Sequence, residues 1–233
     1  IQQIGIGVSN VHEAWNWYRE HFGMDIRIFE DAAVAELMLN YTGGQPRKRH
    51  AALTMNLQGG GGFEIWQHTG KTPEPPKFQV QIGDLGICIG KLKSANVNKA
   101  YEQFKKWNLE VLSPLEKDPA GNDHFYVNDL YGNIWEICQE DFVFLPQKSV
   151  NGGIYGAVVG VKDMEDSFRV YKDILGYDTV VYDKKDKFAD WVGIPGCENT
   201  YRRVLLKHSE KRNGAFSPMF GPTCIELVQV IDR

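Results

Sequence analysis

Three glutamates stand in one local pattern: Glu64-Ile65-Trp66-Gln67, Glu136-Ile137-Cys138-Gln139 and Glu226-Leu227-Val228-Gln229. Each sits in a strand-like run, where alternation sends the carboxylate to one face and its apolar neighbours to the other. A carboxylate among apolar residues is costly to bury without a partner, and the placement recurs three times. A divalent metal is the obvious partner, because glutamate oxygen is a hard ligand. Glu64, Glu136 and Glu226 are therefore candidate metal ligands.

The elements that must position these carboxylates repeat as well. Ile4 to Val8, Ile89 to Lys93 and Ala157 to Val161 read as strands, each followed by a polar cap and a helix. Val11, Ala14, Tyr18 and Phe22 recur at helical spacing between Asn10 and the terminating Gly23. Val97, Ala100, Tyr101 and Phe104 do the same in a second copy, and Met164, Phe168, Tyr171 and Leu175 in a third, up to Gly176. Alternating segments follow at 25–29, 110–112 and 179–182, and further strands precede each glutamate at 52–57, 124–127 and 203–207. The fold class is α+β: repeated βαβββ units that pair into a curved-sheet bowl with helices outside. Turn-rich loops at 72–76 and 145–153 separate the copies. The expectation is a first bowl over residues 1–144, from units at about 1–70 and 80–144, followed by a third unit at 151–233.

Composition bounds the partners. The 233 residues are 42% hydrophobic and 12% aromatic, enough for one large or two modest cores. A net charge of −4 argues against nucleic acid, which needs a basic face. No apolar run reaches the roughly 18 residues of a membrane span. The four cysteines show no CxxC pair and fit reduced thiols in a cytoplasmic protein. The run Gln58-Gly59-Gly60-Gly61-Gly62 has no helix after it, so it reads as a hairpin turn and not a phosphate cradle. His12 and His21 lie off the apolar stripe of the first helix. His50 and His124 begin strands that lead towards the bowl. Trp66, His124 and Tyr126 are candidates for a pocket wall, with an ordinary core or strand-end place as the alternative.

The run Tyr126-Val127-Asn128-Asp129-Leu130-Tyr131-Gly132-Asn133-Ile134-Trp135-Glu136 is similar to the run that ends the units of the vicinal oxygen chelate superfamily, with Leu130 where a proline is usual. That superfamily includes glyoxalases, bleomycin-resistance proteins and extradiol dioxygenases. The resemblance implies metal ligands from the first and last strands of paired units, and it places Gln3 at a first-strand position with Glu64 and Glu136 at last-strand positions. The same count puts Ile89 and Gly156 at the other first-strand positions, so no histidine stands at any of them. What the resemblance implies is a metal-dependent isomerase, lyase or ring-cleavage oxygenase acting on a small oxygenated molecule, with Glu136 and Glu226 as candidate catalytic residues that move a proton. The alternative is a metal-free protein that binds or sequesters a small molecule, as bleomycin-resistance members do.

On this reading the third copy carries Glu226 but has no fourth copy to pair with. The expectation is that the natural protein continues for roughly another 60 to 90 residues that complete a second bowl. A homodimer joining two third copies across a two-fold axis is the alternative.

Overall fold

The computed structural model describes residues 1–72 and 74–232; Pro73, in the expected linker, and Arg233, the expected end of the third unit, lie outside the described residues. The first unit folds as β1 (Gln3–Gly7), α1 (Val11–Phe22), β2 (Ile26–Ala35), β3 (Arg47–Met55) and β4 (Gly62–His68). The second folds as β5 (Gly86–Ser94), α2 (Val97–Lys106), β6 (Glu116–Lys117), β7 (Asp123–Asn128) and β8 (Ile134–Gln139). The third has β9 (Ile154–Gly160), α3 (Met164–Phe168), β10 (Thr179–Asp186), β11 (Thr200–Lys207), the single turn α4 (Ser217–Phe220) and β12 (Cys224–Asp232).

The caps explain where the helices start and stop. The Asn10 side chain accepts from the backbone N–H groups of His12 and Glu13, and Gly23 ends α1 in the left-handed region at φ 68°. Asn96 and Asp163 cap α2 and α3 in the same way. The third helix is not one α-helix to Leu175 as expected: after Phe168 it widens into a π-helical turn over Arg169–Ile174. The expected strand at 110–112 is reduced to one bridge, between Val111 and Val127.

The strands form two sheets, one of four strands in the order β1-β4-β3-β2 and one of eight in the order β10-β11-β12-β9-β5-β8-β7-β6. This corrects the pairing expected from the sequence. The curved eight-stranded sheet joins units two and three, not one and two, so residues 1–144 do not share a bowl. The first unit keeps its own sheet, with β1 at an edge. The seam is the antiparallel pair β5–β9, with Gly86 opposite Gly160 and Lys91 opposite Gly156. Glycines crowd this seam because backbone presses on it: a Cβ on Gly160 would sit 1.9 Å from the Asp84 carbonyl oxygen.

Units one and two meet through their helices instead. Val11, Ala14, Tyr18 and Phe22 of α1 share one core with Val97, Ala100 and Phe104 of α2 and with Trp135 of β8. Asp129, at the β7–β8 turn, ties this core together. It accepts from the backbone N–H groups of Tyr131 and Asn133, from Trp135 Nε1 at 2.9 Å and from the Tyr18 hydroxyl of α1 at 2.7 Å. The glycine-rich turn is the expected hairpin, and it lies against the 145–153 connection: a Cβ on Gly59 would meet the Gly152 carbonyl oxygen at 1.6 Å. No helix among the described residues is long and apolar enough to cross a membrane, and the four cysteines are free thiols.

Candidate functional site

Glu136 on β8 and Glu226 on β12 project into the bowl from the two strands that flank the β5–β9 seam. Between them lies the ammonium of Lys91, from β5. It donates to Glu136 Oε2 at 2.5 Å and to Glu226 Oε2, with all three side chains 4% exposed or less. Register explains the reach, since Lys91 stands opposite Glu136 on one side and opposite Gly156 on the other. Gly156 adds no side chain that would block it.

A wider network surrounds this trio. His124 Nδ1 lies 2.8 Å from Glu136 Oε1, and its Nε2 lies 3.4 Å from Asp190 Oδ2. Arg203 bridges Glu226 and Asp190, and the Tyr182 hydroxyl donates to Glu226 Oε1 at 2.8 Å. Burial alone would push the Glu136 and Glu226 carboxyls up. For Glu136 the Lys91 ammonium, the His124 hydrogen bond and Arg203 outweigh burial, and for Glu226 Arg203 and Lys91 do, so both are held below the usual carboxylate range. Burial would lower Lys91, but the two glutamates raise it well above its ordinary value. Both carboxylates are thus ionised and the lysine is charged.

The rest of the bowl is filled by the protein itself. Phe188, Trp191 and Ile194, from the loop between β10 and β11, pack against Ile89, Tyr126, Val158 and Val228 on the concave face. Trp191 Nε1 donates to the Tyr126 hydroxyl at 2.9 Å, and the Arg203 guanidinium lies 4.4 Å from the centre of the Trp191 ring.

Gln3 and Glu64 form a separate pair on the four-stranded sheet. Gln3 Nε2 donates to Glu64 Oε2 at 2.9 Å, and both residues are half-buried. Trp66, two residues beyond Glu64 on the same face, carries the Arg49 guanidinium 5.0 Å from its ring centre. The expected convergence of Gln3, Glu64 and Glu136 therefore does not occur. The structure brings Glu136, Glu226, His124 and Tyr126 together in the bowl, and Gln3, Glu64 and Trp66 together on the open sheet.

The sequence model of the Glyoxalase/Bleomycin resistance protein/Dioxygenase superfamily matches residues 1–137. The chain belongs to that superfamily. Among solved structures it is similar to glyoxalase I from Zea mays, at 16% identity and a TM-score of 0.60, over 97% of this chain and 66% of that one. It is also similar to a candidate dioxygenase from Bacillus subtilis, at 14% identity and a TM-score of 0.58, over 100% of this chain and 64% of that one. At such identities the likeness shows the fold. Comparison with curated proteins finds no match.

The metal expected between last-strand glutamates does not fit the residues of the eight-stranded bowl. The first-strand ligand positions, in register with Ile134 and Cys224, are Ile89 and Gly156, which offer no side-chain donor. The space between the two last-strand glutamates is taken by an ammonium, which a second cation would meet at contact distance. Gln3 and Glu64 do fit, as half of an oxygen-donor shell: Gln3 is in register with Gly62, two residues before Glu64. Sequence reasoning missed Lys91, Asp190 and Arg203. The available signal was a charged residue within an apolar first strand, Gly90-Lys91-Leu92, in register with a glutamate already singled out.

Proposed function

We propose that this superfamily member is a metal-dependent enzyme of the glyoxalase type, an isomerase or lyase acting on a small oxygenated molecule. Its metal ligands in this chain are Gln3 and Glu64. The reading rests on one observation: these two donors stand side by side on the four-stranded sheet, and its first strand, which carries Gln3, has no partner on its outer edge among the described residues. The β5–β9 seam is the pattern for how such an edge is closed, by the first strand of another βαβββ unit running antiparallel. That unit would bring its own first- and last-strand ligands opposite Gln3 and Glu64.

A bound divalent metal would supply Lewis acidity toward neighbouring substrate oxygens. Within this chain, Glu64 and the Gln3 amide oxygen would hold the ion, and a carboxylate beside it would be placed to move a proton. Trp66 with Arg49 forms a wall that suits a flat or anionic group. The eight-stranded bowl serves as a scaffold on this reading, since its own side chains occupy it. The metal-free sequestering alternative has less support for the same reason: the bowl that would hold a ligand is filled by Phe188, Trp191 and Ile194.

The test is metal analysis of the purified protein after loading with Mn2+, the hard ion that an oxygen-donor pair suits, with Glu64→Ala and Glu136→Gln beside it. Bound metal that is lost with Glu64 and kept without the Glu136 carboxylate supports the reading. Protein that takes up no metal, or whose uptake ignores Glu64, overturns it.

A further inference from the structure

On the opposite face of the four-stranded sheet, beside α1, three potential ligands converge. His12 Nε2 lies 3.1 Å and His50 Nε2 2.8 Å from the same oxygen, Glu30 Oε1, and all three ligand atoms fall within 4.8 Å of one another. His12 is the second residue of α1, Glu30 lies on β2 and His50 on β3. The cluster therefore joins the start of the helix to two strands of the sheet.

A β-bulge builds the arrangement. Between Arg27 and Phe29 the β2–β3 register slips by one residue. Residues three apart on a regular strand point to opposite faces, and the slip brings Arg27 and Glu30 to the same one. Arg27 Nη1 then binds Glu30 Oε2 at 2.5 Å, with its guanidinium 5.6 Å from the centre of the Trp15 ring. Trp15 is itself anchored by its Nε1 donating to the Met24 carbonyl at 2.8 Å. The Glu30 carboxylate is thus oriented from behind through one oxygen and presents the other to the two imidazoles. A metal-ligating carboxylate is held in this way by its outer hydrogen bonds.

We infer that His12, Glu30 and His50 form a site for a divalent transition metal of the Zn2+ class, separate from Gln3, Glu64 and the bowl. Two imidazoles and one carboxylate are a known zinc set that leaves a fourth position for water. Tetrahedral ligands at about 2.0–2.1 Å from the ion stand about 3.4 Å apart, so the 2.8 and 3.1 Å contacts need to open by well under 1 Å. The His12 side chain is 63% exposed, which gives the ion a path from solvent and leaves the fourth position wet. The bound ion would pin α1 to β2 and β3.

Calorimetric titration of the full chain with Zn2+ and electron paramagnetic resonance with Cu2+ test the site. One equivalent should bind, with hyperfine structure from two imidazole nitrogens, and saturating Zn2+ should raise the melting temperature by about 5 °C. His12→Ala, at an exposed position that leaves the fold intact, should abolish the two-nitrogen signal. Arg27→Gln should weaken binding by about tenfold or more. Glu64→Ala should change neither result, so this site and the oxygen-donor pair stand or fall separately. A Cu2+ spectrum without imidazole nitrogen, or Zn2+ binding indifferent to His12 and Glu30→Gln, overturns the assignment.

Discussion

The Lys91 ammonium donates to the Glu136 carboxylate at 2.5 Å, from a strand directly beside it, and the two side chains are 4% and 2% exposed. The same ammonium meets Glu226, so one cation neutralises two carboxylates that would otherwise repel each other in the bowl. Lys91→Met keeps most of the volume and removes the charge. It leaves buried carboxylates without their shared partner, for which the cost is roughly 3–5 kcal/mol. Urea unfolding should show that loss. A change below about 1 kcal/mol would mean that water or rearrangement reaches the site.

The ion pairs also set how the fold responds to acid. Glu136 and Glu226 titrate lower in the folded chain than their ordinary carboxylate value of 4.5, because Lys91 and Arg203 outweigh the burial that would raise them. Below that value the unfolded chain takes up protons that the folded chain resists, so stability is full above it and is lost as pH falls. The wild type should lose stability more steeply from pH 5 to 3 than Glu136→Gln, as read from urea midpoints along the series. Parallel slopes would show that Glu136 does not titrate in that range.

Lys93 gives the opposite limb. It is buried at the junction of all three units, with its Nζ donating to the Gly59 carbonyl at 2.6 Å and the Phe220 carbonyl at 2.7 Å. Burial lowers its pKa to about 8 from 10.5, against the opposing pull of Glu140. Between those values the unfolded chain binds the extra proton, so stability should rise with pH across that window, by up to about 3 kcal/mol. Lys93→Met should lack this rise. The check is the difference in unfolding free energy between wild type and variant at pH 7.5 and pH 10.

What the sequence made legible was local. Asn10 with Gly23, and Val11 with Phe22, define α1 by spacing and caps that act within a few residues, and they stand where expected. The choice of pairing edge was not legible. The first strands of the three units look alike in their own periodicity, and what joins β5 to β9 is contact across about 70 residues, with Gly156 and Gly160 making room at the seam. Glu136 and Glu226 are visible as carboxylates in apolar strands, but the partner that their burial demands is the Lys91 ammonium and not the expected metal. Lys91 and Lys93 are both buried, one held by carboxylates and the other by backbone carbonyls that lie far away in sequence. Arg203 and Asp190 lie on a strand and a loop whose neighbours across the bowl no local pattern reveals.

Asp129 carries the last expectation. Its carboxylate serves the β7–β8 turn through the backbone N–H groups of Tyr131 and Asn133, and holds the Asn133 side chain as well. It also holds two groups that are otherwise buried in the core, the Trp135 indole N–H and the Tyr18 hydroxyl. Tyr18 belongs to α1, so this one side chain couples the first unit to the second. Asp129→Ala strands both buried donors and frees the turn. Each unsatisfied buried group costs about 1–3 kcal/mol, so the total loss should be roughly 3–5 kcal/mol. Tyr18→Phe removes only the link between units, donor included, and should cost about 1 kcal/mol. Urea unfolding of the two variants and the double variant gives the coupling directly. The double variant should lose less than the two single losses added together, because Tyr18→Phe removes one donor that Asp129→Ala strands. Strict additivity would show that the 2.7 Å contact does not join the two units energetically.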